Sequence, residues 1–128
     1  MHILLAVDGS SFTRKMLAYV SSNELWFRHD FNYTLLHVTA KVTGPMYTEA
    51  GRVINEAAND LARHFGTSPV RAMRVGKPAE VITDFARREQ CNVIVMGTHG
   101  YNSLQSVMLG SVTQAVLSSS HVPVLVVR

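Results

Sequence analysis

A doubly wound α/β fold, a five-stranded parallel sheet with helices on both faces, is predicted for this chain of 128 residues by three observations. Five strand-like runs alternate with four helical segments, and that alternation calls for parallel strands joined by crossover helices. Three of the runs are nearly all apolar, as strands are when both faces of their sheet are covered. No repeat, low-complexity tract or linker interrupts the order, so residues 1–128 read as a single domain. Right-handed crossovers then place ligands outside the strand C-termini, at the switch point of the sheet.

Ile3–Val7 is a continuous apolar run closed by Asp8-Gly9-Ser10, a turn and N-cap cluster. The helix expected next, Phe12–Phe27, puts Phe12, Met16, Tyr19 and Val20 on one face, and Ser21-Ser22-Asn23 weakens its middle. Tyr33–Val38 is the second expected strand, and Thr43-Gly44-Pro45 punctuates the loop after it. Met46 and Tyr47 fall in that loop, as ordinary packing residues or as a cover for a ligand. The next helix is the clearest, with Ala50, Val53, Ile54, Ala57, Ala58, Leu61, Ala62 and Phe65 at steps of three and four. Gly66 suits its C-terminal stop. Val70–Val75 carries Arg71 and Arg74, which suits a sheet edge. Gly76-Lys77-Pro78 opens the third helix, with proline where a missing N–H costs little, and Val81, Ile82, Phe85 and Ala86 form its apolar side. Asn92–Met96, Ser111–Ser119 and Pro123–Val127 complete the alternation as strand, helix and strand.

Composition narrows the function classes. With 47% hydrophobic and 16% charged residues the chain is globular, not disordered. No apolar run approaches the roughly 20 residues that cross a bilayer. The stretch before Asp8 lacks the basic region of a signal peptide, and the lone Cys91 excludes an internal disulfide and fits a reducing compartment. The cytoplasm is the expected location. The net charge of +3 is spread along the chain; only Arg14-Lys15 and Arg87-Arg88 are adjacent. Both pairs lie on expected amphipathic helices, so they read as solvated faces and not as a nucleic-acid interface.

The most informative stretch is Gly97-Thr-His-Gly-Tyr-Asn-Ser-Leu-Gln-Ser-Val-Met-Leu-Gly-Ser111, directly after an apolar run. Glycines let a backbone approach an anion, and a helix start presents free N–H groups to it. A nucleotide phosphate is therefore the leading ligand, with a plain strand-to-loop turn as the alternative. Catalysis has little support: there is no Gly-x4-Gly-Lys-Ser/Thr string, and no lysine is set to neutralise a transferred phosphoryl group. No catalytic residue is assigned, and a slow ATPase is the most that is expected. Asp8 either orients water or a divalent cation such as Mg²⁺ through phosphates, or caps the turn into the first helix. The six histidines have no metal spacing; His37 and His99 lie at the same sheet end, but two imidazoles make a poor zinc site, so no metal site is expected. Cys91 lacks a sequence-local base and reads as structural.

Taken with its flanks, the chain resembles the universal stress protein family. The family motif Gly-x2-Gly-x9-Gly-Ser/Thr is met by Gly97, Gly100, Gly110 and Ser111. Ile3–Ser10, Leu35–Val38, Val75–Ile82 and Val122–Val127 resemble further family blocks in order. The resemblance implies a Rossmann-like sheet of order 3-2-1-4-5 and an adenine nucleotide, ATP or else ADP or AMP, in its crevice. By position, Ala6 and Asp8 would lie beside the adenosine and the Val38 backbone would face the adenine edge. Gly97, Gly100, Gly110, Ser111 and Val112 would surround the ribose and phosphates.

One departure stands out. From Gln90 to Val127 there is no Asp, Glu, Lys or Arg, and Tyr101-Asn102-Ser103 stands where family members often carry a basic residue. An anion would rely on backbone N–H groups, hydroxyls, Asn102 and His99. The apolar last strand would lie at the sheet edge and suits a homodimer, with Pro123 limiting further pairing. The function implied is a nucleotide-binding stress-response module whose occupancy alters its interactions with protein partners. The alternative is a chaperone-like interaction protein using the fold without ligand, to which the uncharged stretch points. Electron-transfer flavoprotein-like domains share the topology but not these motif residues.

Overall fold

A computed structural model describes residues 1–100 and 108–128. The elements run β1 (His2–Ala6), α1 (Ser11–Ser22), β2 (Asn32–Thr39), α2 (Pro45–Phe65), β3 (Val70–Val75), α3 (Pro78–Arg88), β4 (Val93–Gly97), α4 (Ser111–Ser119) and β5 (Val124–Val127). The five strands form one parallel sheet in the order β3-β2-β1-β4-β5. The arginine-bearing β3 lies at one edge, as its polarity predicts, and β5 lies at the other.

The pleat of β1 explains both layers. Ile3 and Leu5 join the core formed with Met16, Val20, Ile54 and Leu61 of α1 and α2. Leu4, between them, joins Ile82 and Val116 of α3 and α4 on the opposite face. Successive side chains of a strand point to opposite faces, so an all-apolar run is stable only when both faces are covered. Residues 3–5 are accordingly at most 1% exposed. Among the described residues no helix is long and apolar enough to cross a membrane.

Local chemistry sets the ends of the elements. Ser10 caps α1, its Oγ accepting from the Thr13 N–H at 3.3 Å. The helix stops at Ser22, short of the predicted Phe27, because Asn23 donates from Nδ2 to the Tyr19 carbonyl at 2.8 Å. Phe27 still enters the core, from a turn in which its N–H donates to the Asn23 carbonyl. α2 begins at Pro45, five residues before its buried stripe starts at Ala50, so Met46 and Tyr47 belong to its first turn and not to the preceding loop. Both side chains are exposed. Gly66, with φ +74°, closes α2 as its sequence position predicts, its N–H donating to the Ala62 carbonyl at 2.9 Å.

Cys91 is buried, and burial, with the Glu89 charge, pushes its thiol up to about 11. This is the environment of an inert, packed cysteine. Tyr33 donates its hydroxyl to the Arg28 carbonyl at 2.8 Å and stacks on Phe65 at 4.8 Å between ring centres. Burial, and secondarily the Asp30 charge, push its phenol up to about 12. The unfolded chain loses that proton near pH ~10, whereas the folded chain keeps it longer. Stability is therefore expected to fall as pH rises from about 10 towards about 12. Denaturant melts across that window test this, together with an absorbance titration in which one of the four tyrosines ionises late. A flat stability profile would contradict it.

Candidate functional site

The sheet changes winding direction between β1 and β4. α1 and α2 cover one face and α3 and α4 the other, so the connections leaving β1 and β4 part at their C-terminal ends. A crevice of about 120 Å³ opens there. Leu36, Ile82 and Met96 supply an apolar interior, and Ala6, Val38 and Val112 line it as well. Asp8, His37 and His99 bring polar atoms to it.

β2 outruns β1, and this exposes main chain to the crevice. The β1–β2 ladder ends at the pair Ala6 and Leu36, after which the Val7 N–H donates to the Leu36 carbonyl at 2.9 Å. On the opposite side of β2 the Thr39 carbonyl accepts from the Gly76 N–H at 3.1 Å. Main-chain groups of a strand alternate sides residue by residue, so Val38 turns its N–H and carbonyl towards the gap that β1 leaves.

Asp8 holds the first connection together. Its Oδ1 accepts from the Ser10 N–H at 2.9 Å and from the Thr13 hydroxyl at 2.7 Å, while the Asp8 N–H donates to Thr13 Oγ1 at 3.0 Å. This is the capping role. Oδ2 lies towards the second connection, where a Cβ on Gly100 would stand 3.0 Å from it.

Two motif glycines are therefore explained by contacts within the chain. A Cβ on Gly97 would lie 3.0 Å from both the Cβ and the carbonyl oxygen of Phe12, and a Cβ on Gly100 would crowd Asp8. Neither has the positive φ that favours glycine for conformational reasons. Gly110 has an ordinary φ of −63° and forms the N-cap of α4 with no side-chain cap. Its N–H donates to the Thr98 carbonyl at 2.8 Å, and the Thr113 hydroxyl donates to the Gly97 carbonyl at 3.0 Å. These two bonds fix the start of α4 against the end of β4.

The imidazoles are held differently. His37 donates from Nδ1 to the Val7 carbonyl at 2.7 Å, which leaves Nε2 as its acceptor atom. His99 has both nitrogens engaged: Nε2 donates to the Met108 carbonyl at 2.5 Å, and Nδ1 accepts from the Thr98 hydroxyl at 2.9 Å. Its ring packs on Phe12 at 4.9 Å between centres. Among the described residues no group of three His, Cys, Asp or Glu comes together as a metal set.

Of the residues expected at the site, Ala6, Asp8, Val38, Gly97, Gly100 and Val112 line the crevice. Gly110 is buried at the entry of α4 and Ser111 is exposed on its first turn, outside the crevice lining. Asn102 lies outside the described residues. Leu36, Pro78, Ile82, Met96 and Thr113 also line the crevice, though nothing in the sequence marked them as site residues. Ile82 and Met96 read there only as core positions, because periodicity reports burial and not what a residue is buried against.

A Rossmann-like α/β sheet with a glycine-bordered crevice at its switch point is the class these features define. The sequence model of the universal stress protein family matches residues 1–128, and the chain belongs to that family. It is 30% identical to the universal stress protein YxiE of Bacillus subtilis over 98% of this chain and 97% of that one. It is 36% identical over 80 residues to universal stress protein MJ0531 of Methanocaldococcus jannaschii, a match that spans 62% of this chain and about half (47%) of the relative. The solved structure of MJ0577, from the same organism, superposes with a TM-score of 0.85 at 28% identity, over 98% of this chain and 94% of that one. The fold is shared with an Archaeoglobus fulgidus universal stress protein solved in complex with dAMP (TM-score 0.78, 22% identity, 100% and 98% covered). It is also shared with an Arabidopsis thaliana family member solved with AMP bound (TM-score 0.72, 18% identity, 99% and 90% covered).

The Gly97 contact yields a test of stability. Gly97→Ala forces a Cβ against the Phe12 main chain and is expected to destabilise by about 1–3 kcal/mol, the usual range for overpacking. Gly51→Ala, in α2 with nothing within 4 Å of an added Cβ, is expected to be neutral or stabilising. Urea denaturation of the two variants checks the contrast; equal stability would remove the close-packing account of Gly97.

Proposed function

We propose that this chain binds an adenine nucleotide (ATP, ADP or AMP) at the switch-point crevice, and that occupancy changes its contacts with protein partners in the stress response. The observation that carries this reading is the Val38 main chain, turned to an apolar slot with its N–H and carbonyl free of the β1 ladder. Adenine offers a ring nitrogen acceptor and an exocyclic amino donor on one edge, which complements that pair. The first turn of α4, without a side-chain cap, offers N–H groups for phosphate. Ala6 and Asp8 would flank the adenosine, and Gly97, Gly100, Gly110, Ser111 and Val112 the ribose and phosphates. Asp8 Oδ2 is the carboxylate oxygen available to a Mg²⁺ ion carried by those phosphates. The dAMP and AMP complexes of fold relatives support the same ligand class.

The second reading, an interaction protein without ligand, draws on the exposed Met108 and Leu117 within the uncharged stretch. Mass spectrometry of small molecules released by denaturation, with calorimetric titration of the ligand-free chain, separates the two. Released adenine nucleotide or saturable binding is expected, and Gly110→Val, checked for folding by circular dichroism, is expected to weaken binding at least about tenfold. An empty chain that ignores adenine nucleotides would favour the second reading.

We further propose that the chain, acting as one domain, forms a homodimer through β5, whose outer edge pairs with no strand among the described residues. A free strand edge is a template for pairing with another chain. Light scattering is expected to return the mass of two chains at micromolar concentration; the mass of one would overturn the assignment.

A further inference from the structure

His37 stands where β1 and β2 part, and its side chain takes the place of one rung of their ladder. Every second residue of the first strand bonds to β2. The Asn32 N–H donates to the Met1 carbonyl at 3.0 Å at one end, and the Val7 N–H donates to the Leu36 carbonyl at 2.9 Å at the other. The parallel pattern repeats every two residues, so its next bond would run from the Val38 N–H to the Val7 carbonyl. Among the described residues that bond is not formed. The Val7 carbonyl accepts instead from His37 Nδ1 at 2.7 Å. Beyond Val7 the chain turns away through Gly9, with φ +80°, so this is the one rung at stake. Val7, His37 and Val38 all line the crevice.

We infer that His37 is a positioning residue for the nucleotide: by holding the Val7 carbonyl it keeps the Val38 N–H out of the ladder and open to the adenine edge. The inference rests on the adenine-nucleotide reading above. A main-chain carbonyl screened from water and left without a donor is costly, so a neighbouring N–H is drawn to it. Without the imidazole, the donor in register with the Val7 carbonyl is the Val38 N–H. Closing that rung consumes the donor that an adenine ring nitrogen needs and narrows the slot by one residue pair. His37 thus acts through the main chain and has no need to touch the ligand.

Amide hydrogen exchange of the ligand-free chain, read residue by residue by NMR, tests this together with calorimetric titration with AMP. In the wild type Val38 is expected to exchange about tenfold or more faster than Leu36, which lies within the ladder. His37→Phe keeps a ring but no donor, and is expected to slow Val38 exchange and weaken AMP binding, each about tenfold. His37→Leu, smaller and equally without a donor, serves if His37→Phe does not fold. His37→Asn sets an amide N–H near the Nδ1 position and is expected to keep both properties of the wild type. Val38 as slow as Leu36 in the wild type overturns the inference. So does Val38 exchange unchanged by His37→Phe, even with AMP binding weakened, because the imidazole then acts on the ligand directly. Val38 protected in His37→Phe with no loss of AMP affinity overturns the link to binding. A wild-type chain that binds no AMP overturns the nucleotide reading, while the exchange rates still decide whether His37 holds Val38 free.

Discussion

The main chain of Phe12 lies so close to Gly97 that an added Cβ would stand 3.0 Å from its carbonyl oxygen, and the geometry of the crevice depends on that contact. It brings the entry of α1 onto the last residue of β4, so the connections leaving β1 and β4 run side by side before they part. Asp8 extends the same junction. It ties the β1–α1 turn to Thr13 through Oδ1 and presents Oδ2 to Gly100 of the second connection. Two glycines that resemble a phosphate cradle in sequence thus close the protein upon itself first. A site formed this way is pre-organised, because the groups lining it are fixed by packing before any ligand arrives.

The groups that the proposed nucleotide would meet are mainly main-chain atoms. Val38 offers its N–H and carbonyl because β2 continues past the end of β1. α4 offers the N–H groups of its first turn because Gly110 has no side chain to cap them. Main-chain donors recognise the pattern of a ligand edge or a single anion without adding a full charge. Among the described residues no lysine or arginine lines the crevice. Among the described residues the crevice is lined by an apolar interior, two imidazoles and one carboxylate.

The sequence by itself determined the order of elements, the burial of both faces of β1 and the edge position of β3. These follow from local periodicity and composition, which act on neighbouring residues and survive outside the fold. Its resemblance to the family also marked Ala6, Asp8, Val38, Gly97, Gly100 and Val112, which share one crevice although they come from four separate segments. Its errors were local competitions: Asn23 ends α1 early through a side-chain bond, and Pro45 starts α2 before any buried stripe announces it. Only the tertiary structure decided what each glycine accommodates, which main-chain groups stay unpaired and which apolar residues line the crevice instead of the core. Those properties depend on where one strand stops relative to its neighbour and on how closely a helix entry approaches a strand end. Such distances join residues as remote as Phe12 and Gly97, and no local pattern encodes them.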